Sequence, residues 1–187
     1  MKSQHQVVLS IGTNQGDRLK NIESCLQLIH HEVATVVRVS KLYETPSWGF
    51  ESDAFYNCAI LVHTFDSAAI ILSKLLKIEQ QMGRLKAETP GYQSRVIDID
   101  IVAYDNEIVN TEQLQIPHLL MQDRIFVLKP MLDLNLEWIH PVLNQTVAEL
   151  LLATNDKSDC VVVNSIESPL QNIALEQFNY VAFEGNI

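Results

Sequence analysis

"SRVIDIDIVAY", Ser94 to Tyr104, is the stretch that decides how this chain folds. Val96, Ile97, Ile99, Ile101 and Val102 are strand-forming residues. Asp98 and Asp100 sit among them, two apart. Side chains two apart on a strand point to one face, so the carboxylates stand roughly 7 Å from each other. Like charges held this way repel, and more so when partly buried. The spacing alone leaves two readings open. One is a solvated strand face backed by core isoleucines. The other is a hard-cation site, because Mg2+ is held by one or two carboxylates together with substrate phosphates.

Outward from that strand, the pattern alternates. Upstream, "SAAIILSKLLKIEQQMGR" predicts a helix starting at Asp66 or Ser67, with Ile70, Ile71, Leu75, Ile78 and Met82 as its apolar stripe. The polar, turn-rich "LKAETPGYQS" joins it to the Asp strand. Earlier still, "FYNCAILVHTF" reads as a strand, and "VATVVRVSKLYET" is β-rich up to Pro46. Before these, "QVVLSIG" reads as a buried strand ended by Gly12. Asp17 then caps a helix that buries Leu19, Ile22, Leu26 and Ile29. Downstream, "DNEIVNTEQLQIPH" reads as a turn, a short strand and a return. "MQDRIFVLKPMLDL" is helical and interrupted near Pro130, and "HPVLNQTVAELLLAT" ends in a short helix. The order β α β β α β, with later additions, indicates an α+β fold. It is a ferredoxin-like α/β sandwich: a mixed, mostly antiparallel sheet with helices on its faces. Residues 1–153 form one domain, and residues 154–177 read as a linker or extension.

The formal net charge of −10 argues against a nucleic-acid partner, which needs a basic surface. No apolar run reaches the length of a membrane span. "MKSQHQVVLSIG" lacks a signal-peptide core. Cys25, Cys58 and Cys160 match neither a zinc spacing nor a disulfide framework. A reducing, cytoplasmic setting is the simplest expectation.

Cations gather around the Asp pair in sequence. Arg95 stands three residues before Asp98; Glu79, Arg84 and Lys86 end the upstream helix and begin its loop; His118 and Arg124 follow downstream. Such a group suits a phosphate clamp built around metal. Each member also has a plainer role: basic residues are favoured at a helix C-terminus, and a lone histidine is more often packed or capping than ligand-binding. A second group is aromatic. Tyr43, Trp48, Phe50, Phe55 and Tyr56 surround a loop, with Thr45 and Asn57 as polar neighbours. Such a place suits a flat heterocycle, although some of these rings belong to a core.

Taken in series, "LSIGTNQGDRLKNI", "LYETPSWG", "FYNCAI", "IEQQMGR", "SRVIDIDIV" and "IPHLLMQDRIFVLKPM" resemble the 6-hydroxymethyl-7,8-dihydropterin pyrophosphokinase family of folate biosynthesis, over about Val7 to Leu152. The resemblance implies transfer of the β,γ-pyrophosphoryl group of ATP to the hydroxymethyl oxygen of the dihydropterin, releasing AMP. It implies two Mg2+ ions at Asp98 and Asp100, and phosphate-handling catalytic roles for Arg84 and Arg95. ATP-side contacts would come from Glu79, Lys86, His118 and Arg124 as well. On the pterin side it implies Gly12, Thr45, Ser47, Trp48, Asn57 and the ring pair Phe55 and Phe126, with Asp98 also near. The chain departs from the family in the loop before the Asp strand. "TPGYQSR" replaces a common Arg-Trp-Gly-Pro-Arg, and Lys86 stands where an arginine is common, without a bidentate fork. In the family that loop is a mobile lid.

Two other classes use related parts. A non-catalytic ligand-sensing module shares the fold but needs neither paired aspartates nor clustered arginines. A Mg2+-dependent nuclease is disfavoured by the acidic composition. At the other end of the chain, "FNYVAFEGNI" resembles the opening strand and Glu-Gly-Asn of deoxynucleoside kinases. It suggests that residues 178–187 begin a fused P-loop kinase domain, a strand followed by G-x-x-x-x-G-K-[ST]. The alternative is an ordinary terminal strand.

Overall fold

The computed structural model describes residues 3–47, 52–84 and 94–163. Its main sheet is built around β1 (His5–Thr13), flanked by β4 (Phe55–Thr64) on one side and β5 (Asp98–Tyr104) on the other, both antiparallel. The far side of β4 carries β2 (Thr35–Val39) along its second half and β3 (Tyr43–Thr45) along its start. β8 (Val161–Val162) pairs with β3. A separate small ribbon joins β6 (Val109–Asn110) to β7 (Gln115–Ile116). Every ladder among the described residues is antiparallel.

Alternation along the strands divides two cores. Leu9 and Ile11, Cys58 and Ile60, and Ile99 and Ile101 face helices α1 (Arg18–Glu32) and α2 (Ala68–Gln81). Val8, Ala59, Leu61 and Val102 face α3 (Ile125–Asp133) and α4 (Val147–Ala153). A helix layer therefore lies on each face of the sheet, as the sandwich reading requires. β5 carries a bulge: Ile101 opposes Leu9 and Ala103 opposes Val8, so Val102 is the extra residue. Before the bulge the alternation is regular, and it sends Asp98 and Asp100 to the α3 side.

Local signals account for the helices. Asp17 caps α1 by accepting the Lys20 N–H at 3.1 Å, and Ile22, Leu26 and Ile29 are fully buried. α2 buries Ile71, Leu75 and Ile78, but Ile70 is 47% exposed, a correction to the expected stripe. Ile70 lies about 100° off that stripe, on the face of Lys74 and Lys77. Pro130 does not interrupt α3, which runs on to Asp133 with Pro130 buried. The missing N–H forfeits one intrahelical bond, and the buried Val127, Leu128 and Met131 hold the helix against β4 regardless. "VATVVRVSKLYET" is two strands rather than one. Ser40 N–H bonds the Ala59 carbonyl at 2.9 Å while its Oγ accepts the Ala59 N–H at 2.9 Å, and this side-chain bond stands between the two strands, which continue in one direction along β4.

Residues 154–163, the first part of the stretch read as linker, lie against the domain. Cys160 is buried, the Asp156 carboxylate accepts the Ile125 N–H at 2.9 Å, and Val163 N–H bonds Leu42 O at 2.9 Å. The kinase-like segment 178–187 lies outside the described residues, as do Trp48, Lys86 and almost all of the loop expected to be a lid. Among the described residues, no helix is long and apolar enough to cross a membrane.

Candidate functional site

The register assembles a polar row across three strands. Asp98 opposes Gly12, and Gly12 opposes Asn57; one step along, Asp100 opposes Ser10 and Ser10 opposes Ala59. All of these positions face α3. At the outer end of the row, Asn57 donates to Thr45 Oγ1 at 2.8 Å, and both residues are buried. Gly12 keeps the middle of the row open. A Cβ there would stand 3.0 Å from Asn57 Oδ1 and 3.7 Å from the Phe55 ring. The result is a flat shelf with the Thr45–Asn57 pair at one end and the aspartates at the other. Phe55 opens β4 and Phe126 lies in the first turn of α3; both rings are half-buried. Ser47 is half-buried just past β3.

The aspartate end is strongly charged. Arg84, just past α2, and Arg95, three residues before the strand, both pair with Asp98 Oδ1, Arg84 at 3.0 Å. Arg84 also pairs with Glu79 Oε1. Glu79 is only 2% exposed, and the same oxygen accepts the backbone N–H of Ile99 at 2.9 Å. Glu79 therefore fixes the strand between the two aspartates and anchors Arg84 beneath them. The resemblance implies an ATP-side contact for Glu79, and its bonds to Arg84 and the Ile99 N–H tie that carboxylate to the aspartate end of the site. Burial raises its carboxyl above the usual range, against the lowering pull of Arg84 and the Ile99 N–H.

Asp100 is the electrostatic centre of the site. Desolvation and the charge of Asp98 push its carboxyl up to about 7, with Glu79 adding to the rise and Arg124 and Arg95 opposing it. His118 Nε2 lies 4.0 Å from Asp100. Its Nδ1 accepts the Leu120 N–H at 3.3 Å, so the neutral ring carries its proton on Nε2, toward the aspartate. Burial, then the Arg124 charge, holds its pKa below the ordinary value. Arg124 is itself buried, with its guanidinium 5.6 Å from the Phe126 ring centroid.

The donor set suits Mg2+. No cluster of three or more metal-ligating side chains exists among the described residues. A carboxylate pair with no third ligand fits a cation that completes its shell with phosphate and water rather than one caged by protein. Desolvation first and then the Asp98 charge raise the Asp100 carboxyl, and a cation there would offset the second.

One residue here escaped the sequence reading. Asn14, 2% exposed, follows β1 directly. Its amide nitrogen donates to Ser52 Oγ at 3.0 Å, to Asp53 O at 3.3 Å and to Ser94 Oγ at 3.0 Å, and its Oδ1 accepts the Arg95 N–H at 2.7 Å. The available signal was a polar residue set directly after a buried strand.

Comparison with known proteins identifies the family. The family model for 7,8-dihydro-6-hydroxymethylpterin-pyrophosphokinase (HPPK) matches residues 8–136. A 2-amino-4-hydroxy-6-hydroxymethyldihydropteridine pyrophosphokinase of Aquifex aeolicus is 30% identical over 158 residues, covering 84% of this chain and 97% of that protein. The Folic acid synthesis protein fol1 of Schizosaccharomyces pombe is 39% identical over 145 residues, covering 76% of this chain and 20% of that protein. The chain thus spans about a fifth of the length of that longer relative. A Plasmodium falciparum HPPK-DHPS crystal structure superposes with a TM-score of 0.61 at 18% identity, over 80% of this chain and 43% of that one, and supports the fold. By family model and by relatives, the chain belongs to the 7,8-dihydro-6-hydroxymethylpterin-pyrophosphokinase family.

Proposed function

We propose that the chain transfers the pyrophosphoryl group of ATP to the hydroxymethyl oxygen of 6-hydroxymethyl-7,8-dihydropterin, releasing AMP. One observation carries the reading. A shelf for a flat ring and a cation-rich carboxylate pair share one sheet face, joined through Gly12. The Thr45–Asn57 pair orients the pterin edge, with Ser47 and Trp48 beside it. Phe55 and Phe126 supply its faces, and the Gly12 shelf lets the ring lie flat. Arg84 and Arg95 hold the transferred phosphates and offset the charge that develops as the bond between the β-phosphorus and the AMP oxygen breaks. Glu79, Lys86, His118 and Arg124 contribute on the nucleotide side. Asp98 and Asp100 would hold two Mg2+ ions, which supply charge neutralisation and alignment of the attacking oxygen.

The test is AMP formation from ATP, Mg2+ and hydroxymethyldihydropterin by the purified chain, with each substrate omitted in turn. AMP formation that does not depend on the pterin would refute the reading. For the end of the chain, the proposal is a fused deoxynucleoside kinase. A downstream sequence lacking x-x-G-K-[ST] after Ile187 would remove it.

A further inference from the structure

Asn14 lies where the two halves of the site meet, and its hydrogen bonds run to Ser52, Asp53, Ser94 and Arg95. Between them, its amide nitrogen and its amide oxygen bond to two segments. On one side are Ser52 and Asp53, which lead into Phe55 at the pterin end. On the other are Ser94 and Arg95, which lead into Asp98 at the phosphate end. The backbone doubles the second link: Asn14 N–H bonds Arg95 O at 3.1 Å, so Arg95 is gripped through both its N–H and its C=O. A neighbouring bond runs parallel, from Thr13 Oγ1 to Val96 O at 2.5 Å. Two segments more than 40 residues apart in sequence are thus fastened to one buried amide at the end of β1.

We propose that Asn14 is a positioning residue for pyrophosphoryl transfer, acting through Arg95. By fixing the Arg95 backbone and tying it to Ser52–Asp53, it sets the guanidinium against Asp98 in register with the pterin shelf. The proposal rests on the pyrophosphokinase reading. Its physical basis is that transfer between two bound substrates depends on alignment to within an ångström, so a small displacement costs orders of magnitude in rate.

The experiment is steady-state kinetics of the full chain with Asn14→Ala, in the wild-type background and in an Arg95→Ala background. In the wild-type background kcat should fall tenfold or more at a temperature well below unfolding, with the KM values for ATP and pterin changing less than threefold. In the Arg95→Ala background the same substitution should change kcat less than twofold, because the group it acts through is gone. A residue that merely stabilises the fold would lower the melting temperature and leave kcat alone, or would cost the same in both backgrounds; either result overturns the proposal. If Asn14→Ala does not fold, Ser94→Ala and Ser52→Ala each remove one arm. They should each lower kcat severalfold, with that loss absent in the Arg95→Ala background for Ser94→Ala. Unchanged kcat in both would equally overturn it. A wild-type chain that makes no AMP would instead fail the underlying function, a distinguishable result.

Discussion

Asp98 and Asp100 differ in their partners although they share a strand face. Asp98 is paired with two arginines, whereas Asp100 lies 4.0 Å from His118 and carries a carboxyl raised toward neutrality. Replacing either with alanine should abolish turnover and leave the fold intact; more than a few per cent of wild-type transfer would remove the metal role. The two should differ in stability. Without Mg2+ or nucleotide at pH 8, Asp100→Asn relieves a disfavoured charge, so its melting temperature should rise by a few degrees while Asp98→Asn brings no such gain. Glu79 should behave differently again. Glu79→Ala strands a buried Ile99 N–H and releases Arg84, and should cost about 3 kcal/mol in urea denaturation. Glu79→Gln keeps an acceptor for the Ile99 N–H and should recover a good part of that loss.

At the scale of elements, the short helices depend on their ends. α4 has seven residues, too few to hold by propensity alone. Thr146 accepts the Glu149 N–H, and Glu149 accepts the Thr146 N–H at 2.8 Å, a reciprocal capping box. Thr146→Ala should therefore cost about 1 kcal/mol, seen as a lower urea midpoint with unchanged slope. That box, T-x-x-E before an apolar run, is visible in the sequence, as are the Asp17 cap and the Asp strand, because each signal is local. Other features depend on contacts with remote residues. The sequence around Pro130 says only that a helix would lose a bond there; the layer of α3 against β4 keeps the helix continuous. Nothing near Ser40 announces that Ala59 will bond both its backbone and its hydroxyl. The site divides in the same way. Its charged residues stand out in the sequence because their spacing is unusual. Asn14 does not, because its role depends on residues 38 and 80 positions away. Gly12 was expected near the pterin by resemblance; what the cross-strand register shows is why a glycine suits the position, since any side chain there would meet Asn57 and Phe55. Gly12→Ala should leave the ATP KM near wild type and raise the pterin KM at least tenfold; equal changes in both would argue against a shelf.

For the whole molecule, titration of Asp100 and of two scaffold histidines pulls stability in opposite directions. His30 and His140 both use Nδ1 as an acceptor, from Val36 N–H at 3.3 Å and from Val142 and Leu143 N–H at 3.2 Å each. Burial lowers both pKa values, and His31 adds to the effect at His30. A histidine with a lowered folded pKa contributes stability that is fully present above its unfolded value of about 6.5 and is lost as pH falls through the folded value. Asp100 acts the other way in the absence of metal. Its folded pKa is raised, so the folded state gains stability relative to the unfolded one as pH falls from about 7 toward the ordinary carboxylate range. The two trends partly cancel in the wild-type chain between about pH 5 and pH 6.5. Asp100→Asn removes only the second trend, so this variant should lose stability more steeply on acidification than wild type. Adding His140→Gln should flatten the curve again, because one of the opposing histidines no longer titrates. Denaturant titrations at half-unit pH steps over that window would measure all three slopes. Parallel curves for wild type and Asp100→Asn would mean that the Asp100 carboxyl titrates alike in the folded and unfolded chain, and that the negative charge around it is not awaiting a cation.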